Sequence, residues 1–357
     1  MKTIFFSFSI TNSSLTDYFI TACNKIAQDY RVVIITDRIG EHPFAISPHI
    51  AVLQWPSARP TTVKSFVFLV RLILKHRPVT MISMFGSMNI FLLTGFLLRV
   101  QNRIAWNHSI YAKTANDAGR IRRKKAIYKM ATHIFTNSNA SRRDLEDHFD
   151  VKPDKITVVY NAVRAMPRED AAYDLNRIVF FGRFNPAKGL DTLLAAMPEI
   201  VARFPQIKLT LYGAPTDGNA AEKYRQIARK LHVSDSVEMG GNLAPKDVVK
   251  ALLSANCCIV PSFLEAFGFV VIESFSVGTP VAGSNSSGIA EIIRDGRDGL
   301  LFETGNPVDL AKKVIAIVGD KAFRDACATQ CYQRFRDTFE IEKVTNELRV
   351  KIREVSR

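Results

Sequence analysis

Short apolar runs alternate with amphipathic stretches along nearly the whole chain, the pattern of an α/β fold built on parallel sheets. In the first half, strands are expected at 2–9, 31–36, 80–85, 103–107, 132–137 and 156–159. Helices are expected between them, for example Asp17 to Gln28 and Ser141 to His148, the second with Ser141 as N-cap and Asp144 in its first turn. Around Arg164 to Asn176 the pattern lapses, and Met166 to Ala172 reads as a linker. A second series then begins, with strands expected at 177–181, 207–212, 236–239, 256–260 and 279–282. Its helices are expected at 189–204, 219–231, 245–254, 268–277 and 307–318, and Phe335 to Val355 reads as one charged amphipathic helix. The pattern predicts two tandem parallel-sheet domains, 1–165 and 166–335, and a C-terminal helix, 336–357, packing back on the first.

Composition narrows this picture without changing it. At 357 residues, 47% hydrophobic and 23% charged, the chain suits two globular domains and excludes long disorder. Its five cysteines are odd in number and lack zinc-type spacing, so they read as reduced cytoplasmic thiols. The N-terminus is too short and strand-like for a signal peptide, so the sequons at Asn12, Asn107, Asn139 and Asn285 carry no glycosylation message. Val79 to Leu98 has no charged residue and is long enough to span a bilayer. Ser83, Gly86, Ser87 and Asn89 interrupt it, and a strand, a Gly-Ser turn and a helix from Met88 to Val100 fit better.

Charge does change the picture. Of the net +14, residues 1–165 hold +13 (23 Lys and Arg, 10 Asp and Glu). Such asymmetry points to a polyanionic partner of the first domain. Thr62 to His76 mixes apolar and basic positions at helical spacing, and Arg120, Arg122, Arg123, Lys124, Lys125 and Lys129 form a second cluster. Either segment suits an anionic membrane surface. The first also reads as a core helix with snorkelling cations, and the second as a solvated face.

Two segments of the second half carry the candidate chemistry. In Pro261 to Glu273 a strand runs into a loop holding Glu265, and a helix starts near Phe267 or Gly268 with Glu273 inside it. N–H groups at a helix start form an anion site, and the two carboxylates can address opposite ends of one extended ligand. A surface pair flanking a buried helix is the alternative. In Phe180 to Gly189 a strand ends at Gly182, and Arg183 and Lys188 flank the short loop that follows. An Arg fork and a Lys point charge at a strand end suit a diphosphate, while two solvated loop cations would look the same. Neither a Walker A loop nor a GxGxxG fingerprint is present.

Together these spacings resemble glycosyltransferase family 4, the retaining family of GT-B architecture, in which two Rossmann-like domains face an interdomain cleft. Glu265 and Glu273 stand as an E-x7-E pair, and Arg183 and Lys188 match a G-R-x4-K-G motif. Val159 to Val163 resembles a strand into an Asn-Gly-Val turn, with Ala162 in place of Gly. Gly288 to Ile293 followed by Asp298 to Phe302 resembles the family's G-x-x-E-I-I and G-L-L-F block. The resemblance implies that Arg183 and Lys188 neutralise the donor's leaving diphosphate. It implies that Glu265 holds hydroxyls of the transferred sugar and Glu273 those of the ribose. Gly182, Phe267, Gly268 and Phe269 would meet the donor through backbone groups, and Asn242 would lie near the base. Trp106-Asn107-His108-Ser109 resembles the family's strand end, which makes His108 a residue facing the donor sugar; a structural histidine is the alternative. Ile10 to Ser14 departs from the family's Gly-Gly turn, so no acceptor-side residue carries over there.

The function implied is transfer of a sugar, with retention, from a nucleotide-sugar such as a UDP-sugar to a glycan or lipid-linked acceptor of surface polysaccharide or lipopolysaccharide. Front-face substitution is expected, with Arg183, Lys188 and the helix start stabilising the leaving diphosphate. No D-x-D motif is present, and no metal or other cofactor is expected. The expected location is cytoplasmic, peripheral on the inner face of the plasma membrane. Nucleic acid is not an expected partner, since no aromatic-rich single-strand platform appears. An epimerase or phosphorylase of the same architecture, or a basic binding module, remains as an alternative.

Overall fold

The computed structural model describes residues 1–58, 60–110, 117–166, 174–214 and 219–356. The chain divides into two compact units, Met1–Ala162 with the residues from Ile341 on, and Val163–Glu340. The divisions thus fall a few residues from those expected at 165 and 335. Most of the expected linker, 167–173, lies outside the described residues.

Among the described residues, the first unit holds an all-parallel seven-stranded sheet of order β3-β2-β1-β4-β5-β6-β7. Its strands are β1 (Thr3–Ser7), β2 (Arg31–Thr36), β3 (Ala51–Gln54), β4 (Thr80–Met84), β5 (Asn102–Asn107), β6 (His133–Thr136) and β7 (Ile156–Val158). Helices α1 (Ser14–Ile26), α2 (Val63–His76), α3 (Met88–Leu97), α4 (Ala118–Met130) and α5 (Asn139–Phe149) connect them. Strands β1 and β4 are buried along their whole length, as helices on both faces of a parallel sheet require. The uncharged stretch from Val79 resolves into β4, a single 3-10 turn at Phe85–Ser87, and α3. No helix among the described residues is long and apolar enough to cross a membrane.

The second unit repeats the plan with a six-stranded sheet, β10-β9-β8-β11-β12-β13, again parallel throughout the described residues. These strands are β8 (Asp174–Phe181), β9 (Lys208–Tyr212), β10 (Val237–Gly241), β11 (Ala255–Val260), β12 (Val281–Ser284) and β13 (Gly299–Phe302). The helices are α6 (Leu190–Arg203), α7 (Ala220–Lys230), α8 (Pro245–Leu253), α9 (Phe269–Val277), α10 (Ser287–Ile292), α11 (Pro307–Gly319) and α12 (Lys321–Thr338). In both sheets the strand order reverses beside the first strand, between β1 and β4 and between β8 and β11. A crevice at the C-terminal ends of the strands forms at such a point.

Two local expectations are corrected. The N-cap of α5 is Ser138, whose hydroxyl accepts from the Ser141 N–H, so Ser141 sits inside the helix. The stretch from Phe335 is not one helix. It breaks at Phe339–Glu340, where Phe339 is buried against Phe267, and α13 (Ile341–Val355) begins afresh. Strands β3 and β13 were not anticipated.

Helix α13 belongs to the first unit. Ile341, Val344, Leu348 and Ile352 join the core beside α1. Burying each such side chain stabilises by roughly 1.5–3 kcal/mol. Arg349 grips Asp29 through two bonds of 2.6 and 2.9 Å, holding that carboxyl below its ordinary range. Thr80 meets the Ser356 hydroxyl at 2.7 Å, and Lys25 pairs with Glu342 at 2.7 Å. Where a Gly-Gly turn was absent, the hydroxyls of Thr11, Ser13 and Thr16 bond to one another at 3.0–3.2 Å. Ser13 also caps α1.

Candidate functional site

In the second unit Gly182, Arg183, Lys188, Glu265, Phe267, Gly268, Phe269 and Glu273 all follow β8 or β11, the two strands that flank the reversal, whereas Asn242 follows the edge strand β10. Strand β8 ends at Phe181. Gly182 follows, and its N–H donates to the Tyr212 carbonyl at 3.0 Å, which ties the loop to the end of β9. Arg183 is exposed in that loop, and Lys188 closes the 3-10 turn Pro186–Lys188. Gly189 then takes φ +71°, and a Cβ there would lie 1.9 Å from the Pro261 carbonyl oxygen. The turn after β8 is thereby pressed against the end of β11. The Phe263 N–H donates to the Ala187 carbonyl at 3.0 Å across the same seam.

This contact brings Lys188 and Glu265 together. They form an ion pair with both side chains largely buried, at 24% and 21% exposure. The pair spans 77 residues of sequence and joins the loops after two neighbouring strands. It sets a donor-only ammonium beside an acceptor-only carboxylate, the combination that can bind phosphoryl oxygens and sugar hydroxyls side by side.

The Glu265 backbone is held from the far side. Its carbonyl accepts from the Gly288 N–H at 3.1 Å and from the Ser287 hydroxyl at 3.0 Å. A Cβ at Gly288 would lie 2.6 Å from the Phe267 nitrogen, so only glycine lets α10 approach this closely. Phe267 is buried, packing edge-on against Phe269 and Phe339 with centroids 6.1 and 6.0 Å apart. Gly268 is the N-cap of α9 and Phe269 its first residue, without a side-chain cap hydrogen bond. The first-turn N–H groups of α9 therefore supply the fixed positive end of a helix dipole. Glu273 is the fifth residue of α9 and half-buried. Its charge adds to burial in pushing the Cys258 thiol of β11 well above its ordinary range. Asn242 is exposed just beyond β10.

The block after α9 is structural scaffolding. Asp298 is fully buried, accepts from the Arg294 N–H at 2.6 Å and pairs with the Arg294 guanidinium at 2.5 Å. Asp295 accepts from the Leu301 N–H at 2.8 Å, which fixes the turn into β13.

Two family models cover nearly the whole chain. Residues 18–165 match glycosyltransferase family 4, and residues 165–334 match glycosyl transferases group 1. The chain belongs to the family 4 type of GT-B glycosyltransferases. One relative of this family member is D-inositol 3-phosphate glycosyltransferase of Nocardioides sp., 27% identical over 246 residues, 62% of this chain and 54% of that protein. The same enzyme of Acidothermus cellulolyticus is 31% identical over 202 residues, 52% of this chain and 45% of that protein. The chain thus spans about half the length of the curated relatives it matches. Its fold matches sucrose-phosphate synthase from Thermosynechococcus elongatus with a TM-score of 0.81 at 20% identity, covering 99% of both chains. It matches Anabaena HepE in complex with UDP with a TM-score of 0.80 at 17% identity, covering 99% of this chain and 100% of that one.

One expected site residue of this glycosyltransferase-family chain lies apart. His108 is in the first unit, just past β5, whereas every other site residue is in the second. It sits in an aromatic cluster, with Phe85 stacked at 5.2 Å, Trp106 stacked at 5.8 Å and Phe19 edge-on at 5.6 Å. Its Nε2 is enclosed, with no hydrogen-bond partner among the described residues. Burial pushes the imidazole down to about 3, so the ring is neutral at physiological pH. Ser287 was missed as a site support, and Gly189 was read only as the last residue of the G-R-x4-K-G motif. The close approach of Gly189 to Pro261 joins segments far apart in sequence. Among the described residues no group of three or more His, Cys, Asp or Glu is placed to hold a metal ion.

Proposed function

We propose that the chain transfers a glycosyl group, with retention, from a nucleotide diphosphate sugar, most simply a UDP-sugar, to a glycan or lipid-linked acceptor of cell-surface polysaccharide. The observation that carries this reading is the Lys188–Glu265 pair at the β8/β11 reversal, flanked by Arg183 and the start of α9. In this reading Arg183, Lys188 and the α9 N–H groups of the Gly268–Phe269 turn stabilise the charge growing on the departing diphosphate. The departing oxygen takes the acceptor's proton on the same face of the sugar. Glu265 orients the sugar by its hydroxyls, and Glu273, with two acceptor oxygens, takes the ribose diol. His108 is neutral and serves as a hydrogen-bonding wall of the first unit. Protein cations do the electrostatic work, so activity is expected to survive a chelator.

The test is a thermal-shift panel of UDP, GDP and ADP with their sugar conjugates, followed by product analysis with and without acceptor. Stabilisation by one nucleotide and retained stereochemistry in a transfer product support the reading. Release of free sugar 1-phosphate, or interconversion of sugars without transfer, makes the protein a phosphorylase or epimerase instead.

A second feature supports work at an anionic membrane on the cytoplasmic side. Helix α2 exposes Val63, Val67 and Leu74 beside Lys64, Arg71 and Lys75, and contains no acid. Helix α3 adds the exposed Phe96 and Leu97. Exposed apolar side chains among cations suit an anionic bilayer surface. Vesicles containing phosphatidylglycerol are expected to sediment the protein, and Lys64→Glu with Arg71→Glu to release it. Retention on neutral vesicles alone would refute the electrostatic part.

A further inference from the structure

The break between α12 and α13 has no local cause. Phe335 to Ile341 contains neither Gly nor Pro, the residues that ordinarily stop or kink a helix. Yet Phe339 leaves the helical region, at φ −123° and ψ 5°.

What the break achieves is a fixed post for one ring. The Phe339 N–H donates to the Phe335 carbonyl at 2.8 Å, and the Phe339 carbonyl accepts from the Val163 N–H at 3.1 Å. Val163 and Glu340 form a parallel β-bridge, and Arg336 pairs with Glu340 at 2.9 Å. The Arg334 guanidinium lies over the Phe339 ring, 5.4 Å from its centre. Backbone and ring are thus both held, and the side chain is buried.

The ring in turn meets Phe267 at an angle of 73°, the edge-to-face arrangement that aromatic pairs favour. Phe267 precedes Gly268, the N-cap of α9, which takes φ +109°. Glycine has the most permissive backbone and no side chain with which to hold its own place. The direction of the first-turn N–H groups of α9 therefore depends on the residues to either side. After the glycine, Val271 and Ile272 are buried in the unit. Before it, Phe267 is buried, and Phe339 is the post on which that ring rests.

We propose that Phe339 is a positioning residue of the donor site: by holding Phe267 edge-on it fixes the Phe267–Phe269 turn, so that the N–H groups of α9 meet the donor's diphosphate. The diphosphate rests on the transfer reading; the fixing of the turn does not.

Phe339→Leu keeps an apolar side chain and removes the ring edge. Leu310→Ala, in the buried core on α11, is the control for lost stability alone. Without any ligand, amide exchange at residues 266–271 is expected to quicken about tenfold in Phe339→Leu and to stay at the wild-type rate in Leu310→Ala. In calorimetric titrations, Phe339→Leu should bind UDP about tenfold more weakly. Its affinity for uridine, which has no diphosphate, should be unchanged, and Leu310→Ala should alter neither. If Phe339→Leu does not fold, Phe339→Met, whose flexible chain fills the space without a ring, replaces it.

Unchanged exchange, or unchanged UDP affinity beside a wild type that binds UDP, overturns the proposal. Equal losses for UDP and uridine, or the same quickened exchange in Leu310→Ala, overturn it too, because a merely structural contact would act in that way. A wild-type chain that binds none of UDP, GDP and ADP refutes the transfer reading instead. Exchange quickened at the turn of Phe339→Leu alone then still supports the positioning, and its absence overturns it.

Discussion

The two units share a sheet plan and differ in what they place at its reversal. Between β8 and β11 stands a partly buried ion pair, Lys188 with Glu265, flanked by the start of a helix. Between β1 and β4 stands a strained aromatic, Phe85, with a neutral histidine under it and cations across a cavity. The same crevice geometry thus holds an ion pair in one unit and a cavity lined by aromatic and cationic side chains in the other. The scaffold alone does not make that difference; the side chains at the reversal do. The charge of the whole chain follows the same division, with nearly all the excess in the first unit.

The sharpest way to break this comparison is to remove the cation of the second unit. Lys188→Ala is expected to lower turnover about 10²–10³-fold, and Arg183→Ala similarly, in a transfer assay at saturating donor. A loss expressed only in KM would show that the cations bind donor and transition state equally. The next test concerns the seam that builds the pair. Gly189→Ala would set a methyl 1.9 Å from the Pro261 oxygen at φ +71°. It is expected to destabilise by several kcal/mol in a denaturant melt, since neither backbone can yield cheaply. A melt like that of the wild type would mean that the seam is loose.

The first unit has a smaller, pH-dependent signature. His108 is pushed down to about 3 in the folded chain, against an ordinary value near 6.5. Between those values the unfolded chain holds the proton and the folded chain does not. Stability therefore rises with pH across that window and is lost on acidification, by at most about 1.4 kcal/mol per pH unit. His108→Gln should flatten that part of the stability–pH curve. An unchanged slope would mean that the imidazole meets solvent freely.

The sequence made the second unit easier to read than the first. Arg183, Lys188, Glu265 and Glu273 each follow a strand or lie in the helix after it, and local spacing exposes that. Strand β3 escaped because its four residues are only half-buried or exposed and carry no alternation. Strand β13 was visible only as the Gly-Leu-Leu-Phe run. The break between α12 and α13 carries neither Gly nor Pro; it depends on Phe339 packing against Phe267, a tertiary contact. The cavity of the first unit is tertiary too. Arg123 of α4 and His108 just past β5 are well separated in sequence and line one cavity only because the fold brings their elements to it. Basic residues at helical spacing look alike whether they face a membrane, water or a pocket.

The central claim is that the second unit holds a nucleotide-sugar donor through the Glu265–Glu273 segment. Calorimetric titration of the full chain with UDP and UDP-glucose, in wild type and Glu273→Ala, tests it most directly. The account predicts saturable UDP binding to the wild type and an affinity at least tenfold weaker in Glu273→Ala, the loss expected for charged hydrogen bonds to a diol. Equal affinity in the two proteins would contradict it.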